Sequence, residues 1–221
     1  MQNRFKGNTV SFPTYSKYYF AKGVFALSQQ IEIEFKNMLT KTQYEQLLHD
    51  FSVQPEQIIR QVNHYFDTPT QHLKNVKSAL RIREFDSRIE CTLKEKTSEH
   101  QHLETTDLLT REQADKMLAG LGMDAPHVKE RLALLNIPTK DLHCYGTLTT
   151  DRVEIPYEGG LLVFDHSFYL HVDDYEVEYE ANDEIVGKSV FSQFLKNHQI
   201  EPQAAPKKIV RFMTALTNQK G

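Results

Sequence analysis

The sequence predicts an α+β domain in which helices cover the apolar face of an antiparallel sheet whose other face is ionic. Three observations lead there. Several segments alternate with a period of two, setting apolar residues opposite charged ones. Amphipathic helices with recognisable caps are interspersed among them. The polar positions of the strands are Lys, Arg, Glu and Asp, with hardly a Ser, Asn or Gln, whereas a merely wet sheet face would be more mixed. The 221 residues, 39% hydrophobic and 25% charged, suffice for one domain with a real core, and no fixed-period repeat is present.

In Ile31 to Lys36 the odd positions are Ile31, Ile33 and Phe35 and the even ones Glu32, Glu34 and Lys36, so all three charges share a face. A helix follows from Thr40, whose hydroxyl pairs with Gln43 in a capping box and which presents Tyr44, Leu47, Leu48 and Phe51. Gln61 to Asp67 is strand-like with less regular faces. Leu80 to Phe85 sets Arg81 beside Arg83. Arg88 to Lys96 aligns Arg88, Glu90, Thr92, Lys94 and Lys96 opposite Ile89, Cys91 and Leu93. A second capping box, Thr110 with Gln113, opens a helix burying Ala114, Met117, Leu118 and Leu121 before Gly122 stops it. A third helix follows Pro126 with Val128, Leu132 and Leu135 inward. Thr150 to Ile155 presents Arg152 with Glu154, and Leu161 to His166 is a further, less regular strand. Asp174 to Glu180 presents Glu176, Glu178 and Glu180 opposite Tyr175, Val177 and Tyr179. The last helix runs from about Gly187 to His198 with Val190, Phe191, Phe194 and Leu195 inward.

The helices need the apolar strand faces as packing partners, so the charged faces point away from them. If the strands close into a barrel, those faces meet in its interior, where cations and anions are too costly to desolvate without partners. Such an interior holds water, ions or a charged ligand. The cations Arg81, Arg83, Lys94, Lys96 and Arg152 suit a compact polyanion. The carboxylates Glu32, Glu34, Glu176 and Glu178 suit a hard divalent cation such as Mg²⁺ or Mn²⁺. A metal-bound triphosphate offers both complements, and phosphoryl transfer uses the same parts.

Composition excludes some alternatives. The formal charge of −4, from 30 acids against 26 bases, lacks the basic signature of a general nucleic-acid binder. No apolar run reaches the roughly 18 residues of a membrane span. Cys91 and Cys144 match no zinc spacing or disulfide framework, which points to a reducing, cytoplasmic setting. The first 31 residues carry no acid and four bases, Arg4, Lys6, Lys17 and Lys22; residues 1 to 27 read as a disordered or non-native extension, leaving 28–221 as the domain. His100 and His102 have a spacing that could hold a transition metal, yet they fall in a polar stretch between strand and helix and read as a solvated loop. Tyr65, Phe66 and Tyr169 read as packing aromatics.

Glu32-Ile-Glu-Phe-Lys36 resembles the ExExK signature of the CYTH superfamily, the triphosphate tunnel metalloenzymes. Further matches are Tyr65-Phe-Asp-Thr-Pro69, Leu80-Arg-Ile-Arg83, Thr92-Leu-Lys94 with Lys96, Arg152-Val-Glu154, Asp165 through Tyr169 into Asp174-Tyr-Glu-Val-Glu178, and Pro206-Lys-Lys208 with Arg211. The resemblance runs from about residue 28 to 216 and is similar in detail to the small cytosolic CYTH proteins of Gram-positive bacteria. It implies a closed eight-stranded antiparallel β-barrel, a tunnel with helices outside, and metal-dependent hydrolysis of inorganic tripolyphosphate or an organic triphosphate. It implies phosphate contacts from Lys36, Arg81, Arg83, Lys94, Lys96, Arg152, Lys208 and Arg211, with Lys36 near the reacting end and Glu154 supporting catalysis. Metal ligands are implied at Glu32, Glu34, Glu176 and Glu178. Some members carry an acid where this chain has Val163; Asp165, on the same face, is the candidate to stand in. One branch of the family cyclises ATP, so an adenylate cyclase of that type is the alternative, and a non-catalytic polyphosphate-binding module the second. The acids argue against the last, since carboxylates repel a bound polyanion unless metal intervenes. The expected partner is a small triphosphate compound, with no nucleic acid or membrane, and no oligomer is indicated.

Overall fold

A computed structural model describes residues 29–86 and 88–218; the expected extension at residues 1 to 27 lies outside them. Eight strands, β1 (Gln29–Leu39), β2 (Ile59–Asp67), β3 (Ser78–Phe85), β4 (Arg88–Lys96), β5 (Gln101–Leu108), β6 (His143–Tyr157), β7 (Gly160–Tyr169) and β8 (Val172–Ala181), close into a barrel in the order β1-β5-β4-β3-β2-β6-β7-β8. Every neighbouring pair is antiparallel. Two meanders, β2 to β5 and β6 to β8, are joined on one side by the β2–β6 pairing and on the other by β1, which lies between β5 and β8. Closure leaves no sheet edge.

The register fixes which charges meet. Lys36 lies opposite Glu178, Lys94 opposite Glu104, and Arg152 opposite Asp165, which in turn lies opposite Glu176. Directly opposed residues share a face, so these charges all point into the barrel. The alternate positions build the core outside it. Helices α1 (Lys41–Asp50) and α5 (Glu184–Asn197) cover Phe35, Leu39, Val153, Leu162, Phe164, Val177 and Tyr179. Helices α3 (Arg111–Leu118) and α4 (Pro126–Leu134), with the single turn α2 (His72–Asn75), cover Phe66, Leu80, Ile82, Ile89, Cys91 and Leu93.

Both predicted capping boxes form, Thr40 with Gln43 and Thr110 with Gln113. Helix α3 nevertheless stops at Leu118 and leaves Leu121 76% exposed, because Gly120 with φ of 73° already turns the chain. Helix α5 begins at Glu184 rather than Gly187, since the Asp183 carboxylate accepts the Val186 N–H. Two aspartates act at a distance. Asp67, inside the Tyr65–Pro69 motif, accepts N–H bonds from Thr68, Leu73 and Lys74 and so caps α2. Asp107 on β5 accepts the Val128 N–H at the start of α4, where Ala125 has no capping side chain.

A sixth helix, α6 (Lys208–Asn218), crosses one mouth of the barrel. Its Phe212 is buried among Tyr65, Leu148 and Tyr169, tunnel-facing residues of β2, β6 and β7. The Phe212 ring occupies the space that a Cβ at Gly146 would need. Gly146→Ala is therefore expected to dislodge α6 and destabilise the fold by about 1–3 kcal/mol, the usual range for overpacking. Denaturant unfolding together with faster proteolysis at the C-terminal helix reads this out; wild-type stability and protection would contradict the packing described.

Candidate active site in the barrel tunnel

The barrel interior contains a cavity of about 220 Å³, smaller than the ~300 Å³ at which pockets for drug-sized ligands begin. Its wall includes Glu32, Glu34 and Lys36 from β1, Arg81 and Arg83 from β3, Lys94 from β4, Glu104 from β5, Arg152 from β6 and Glu178 from β8. Lys207 and Lys208 enter from the start of α6. The sequence-derived faces thus converge on one space.

Within it the charges form two linked groups. In the first, Lys94 Nζ pairs with Glu32 and lies 3.0 Å from Glu34 Oε2 and 3.5 Å from Glu104 Oε1. In the second, Arg152 holds Asp165 with two bonds, Nε to Oδ1 at 2.8 Å and Nη2 to Oδ2 at 2.5 Å, and reaches Glu178 Oε2 at 3.2 Å. Lys208 Nζ lies 2.7 Å from Asp165 Oδ2 and 3.0 Å from Glu178 Oε1, and also pairs with Glu176. Lys36 joins the groups, donating to Glu178 Oε1 at 2.8 Å and lying 3.1 Å from Glu34 Oε2. Arg211 braces the second group from outside, taking both oxygens of Asp174 at 2.7 and 3.0 Å and Glu176 Oε2 at 2.7 Å.

Burial disfavours the charged form of each group; partners reverse that at Glu34, Asp165 and Lys36, whereas at Lys208 burial outweighs Asp165 and pushes the ammonium well below the ordinary lysine range. Burial pushes the Glu34 carboxyl up, but Lys36 and Lys94 outweigh it and hold it well below the usual carboxylate range. The same contest at Asp165 is won by Arg152 and Lys208, again downward. For Lys36 burial pulls down while Glu178 and Glu34 pull harder, raising the ammonium above the ordinary lysine range. Arg81 lines the cavity with its Nε out of reach of solvent and without a hydrogen-bond partner, although the group is held charged. Arg83 gives its Nε to Asn63 Oδ1 at 2.9 Å.

The sequence-derived site residues do not all occupy equivalent places. Lys36, Arg81, Arg83, Lys94, Arg152 and Lys208 line the tunnel with Glu32, Glu34 and Glu178. Asp165 and Glu176, fully buried, stand behind that wall, and Asp165, Glu176 and Glu178 bring carboxylate oxygens within 4.8 Å of one another. Glu154 is half-buried and reaches only Arg152, at 3.9 Å. Lys96 is exposed at the end of β4 and lines a second cavity, of about 710 Å³, beside the tunnel. Of the charged cavity residues outside the expected site set, Arg88, Glu90 and Glu180 lie on strand faces the alternation predicts, whereas Glu104 sits on the unpredicted strand β5 and Lys207 next to Lys208. The Lys-Lys pair was the available signal for Lys207.

A family profile for the CYTH domain matches residues 30–213. The chain belongs to the CYTH family. It is 40% identical over 186 residues to YjbK of Bacillus subtilis (strain 168), a protein provisionally named a triphosphatase, with 84% of this chain and 96% of that one covered. A crystal structure from Bacillus halodurans, provisionally named an adenylate cyclase, shares 36% identity at a TM-score of 0.81, covering 84% of this chain and 99% of that one. HpAC1 from Hippeastrum, described as having a dominant triphosphatase activity, is 22% identical with a TM-score of 0.70 over 84% and 95% of the two chains, a likeness of fold. Among the described residues of this CYTH protein no helix is long and apolar enough to cross a membrane.

Lys207 carries a pH dependence. Burial pushes its ammonium down to about 8, Lys94 adding to the depression and Glu34 opposing it. Between that value and the ordinary 10.5 the unfolded chain binds a proton that the folded chain does not, so this group's penalty on stability is full below pH 8 and fades as pH rises. Anion binding runs the other way, because only the protonated amine attracts phosphate. Calorimetric affinity for tripolyphosphate should fall as pH is raised through about 8, and Lys207→Gln should flatten that fall. A wild-type profile flat across this range would contradict the assignment.

Proposed function

We propose that this protein hydrolyses a triphosphate, inorganic tripolyphosphate or an organic triphosphate, inside the barrel with the help of Mg²⁺ or Mn²⁺. The observation that carries the reading is the barrel cavity lined by Arg81, Arg83 and Lys94 on one part of its wall and by buried carboxylates on another. A polyanion alone would satisfy only the first part. The triphosphatase name of the 40% identical relative supports the same substrate class.

The carboxylate trio Asp165, Glu176 and Glu178 offers only hard oxygen donors, which suits Mg²⁺ or Mn²⁺. Glu32 and Glu34 add carboxylates from the neighbouring strand β1, Glu34 being joined to Glu178 through Lys36. A bound divalent ion supplies charge neutralisation on the phosphate oxygens. The chain's own residues do the rest. Arg81 and Arg83 grip the non-transferring phosphates, the unpartnered Arg81 Nε being ready for an oxygen. Lys94 moves its charge from Glu32 and Glu34 towards the substrate. Arg152, braced by Asp165 and touched by Glu154, faces the charge that develops on the leaving oxygen. In the reaction, water oxygen bonds to the terminal phosphorus and the bridging P–O bond breaks. The leaving diphosphate keeps that electron pair on its oxygen, and a water proton passes to the released phosphate or to solvent. Lys36 holds Glu34 ionised and pairs with Glu178 beside that end.

A second reading, cyclisation of ATP, is favoured by the provisional name of the 36% identical structure. It requires the ribose 3′-hydroxyl as nucleophile and therefore a fixed pose for the sugar and base.

Pure protein incubated with Mg²⁺ or Mn²⁺ and tripolyphosphate, thiamine triphosphate or ATP should release inorganic phosphate. Cyclic AMP with pyrophosphate would establish the cyclase, and no turnover would leave a binding module. Glu32→Gln with Glu34→Gln should abolish metal-dependent turnover with the fold kept, as read by circular dichroism; undiminished phosphate release would refute the role of this pair. Arg81→Ala should weaken triphosphate binding by about 1.5–3 kcal/mol, the range for a charge-assisted bond.

A further inference from the structure

The cavity of about 710 Å³ beside the tunnel shares a rim with it, since Ala79, Lys207 and Ile209 line both. It is an open cleft in the seam between two apolar clusters. Phe66 and Leu73 belong to one of them, and Tyr145, Ile209 and Met213, the last two on α6, pack against the other. The cleft falls in the ~300–1,000 Å³ range of small-molecule sites, whereas the tunnel, at about 220 Å³, does not reach it. A phosphate chain suits the narrow space and an organic group the wide one.

The charge of the cleft is one-sided. Lys74, Lys77, Lys96 and Lys207 border it. Among the described residues, Lys77, Lys96 and Lys207 have no carboxylate within ion-pair distance, and Lys74 donates to Gln71 Oε1 at 2.9 Å. The one acid among the described wall residues, Asp67, is engaged by the N–H groups of Thr68, Leu73 and Lys74. A cationic guest such as a thiazolium would therefore meet a positive field, and a bare inorganic chain would leave the apolar wall uncovered. A nucleobase carries no charge and offers a π-face to Tyr145 and Met213.

We propose that the cleft receives the organic group of a nucleoside triphosphate, so that the protein selects an uncharged heterocycle over a cationic one and over bare tripolyphosphate. The inference rests on the triphosphate reading of the tunnel. The phosphate next to the sugar meets Lys207 at the shared rim and Lys96 in the cleft, and the remaining phosphates follow β3 inward from Ala79 to Arg81 and Arg83. This also accounts for Lys96, which has the parity of an inward cation yet lines the cleft rather than the tunnel.

The test uses the full chain with Mg²⁺ and follows loss of substrate, so that hydrolysis and cyclisation are both counted. Wild-type kcat/KM should be at least about tenfold higher for ATP or GTP than for tripolyphosphate or thiamine triphosphate, because contacts to the remote group contribute to the transition state. Val210 lines the cleft from a half-exposed position on α6. Val210→Trp, which adds an indole there, should lower kcat/KM for ATP and GTP about tenfold and leave tripolyphosphate turnover within about twofold. A wild-type kcat/KM for ATP and GTP no higher than for the other two substrates would overturn the inference. So would an equal loss for every substrate in Val210→Trp, or no change for any, the outcome if the cleft serves a second copy of the chain or another partner. Where Val210→Trp does not fold, the wild-type preference decides alone. Tripolyphosphate consumed without a nucleoside preference removes only the cleft assignment; a wild-type chain that neither binds nor consumes any of these triphosphates removes the tunnel reading itself.

Discussion

The structure depends on ionic groups of opposite sign being buried together in a closed barrel. A carboxylate or ammonium withdrawn singly from water would neutralise, and removing one partner of a buried pair commonly costs about 3–5 kcal/mol. Asp165, almost without exposure, is held as an anion by Arg152 and Lys208, and Glu176 beside it is paired with Lys208 and Arg211. A network of this kind adds little net stability compared with apolar packing. Its value lies in exchange: each internal partner occupies a place that a metal ion or a phosphate oxygen can take over.

The fold makes that exchange possible by keeping stability elsewhere. The apolar residues of β1, β7 and β8 pack under α1 and α5, and those of β3 and β4 under α3 and α4. The barrel is therefore held from outside and its interior is free to be ionic. Helix α6 is different in kind. It rests on a small cluster around Phe212 and carries Lys207, Lys208 and Arg211 to one mouth of the tunnel. Anchored by Phe212 against Gly146, it places cations where strands alone would leave an opening.

Much of this was legible in the chain because the strand period is two and the barrel wall is one residue thick. Alternation at Glu32, Glu34 and Lys36 therefore told directly what faces inward, and Arg81, Arg83, Lys94, Arg152 and Glu178 followed by the same rule. What escaped did so for physical reasons. Strand β5 mixes His102, Glu104 and Thr106 inward with Leu103, Thr105 and Asp107 outward, so its polarity hid the period. Asp107 faces outward because it caps α4, a long-range demand that no local pattern reveals. Lys96 shares the parity of Lys94, but parity says nothing about where a strand ends, and Lys96 stands exposed at that end. Glu154 and Arg152 also share a face, yet only Arg152 lies deep enough to meet the acids of β7 and β8.

The central claim is that the internal ion pairs reserve places for a metal-bound triphosphate. Crystals grown with Mn²⁺ and a non-hydrolysable tripolyphosphate analogue, measured for Mn anomalous scattering, test it most directly. The account predicts an anomalous peak inside the barrel at the carboxylates, with phosphorus density running past Arg81 and Arg83. Manganese and phosphate found only on the outer surface, with the Lys94, Lys36 and Lys208 pairs undisturbed, would contradict it.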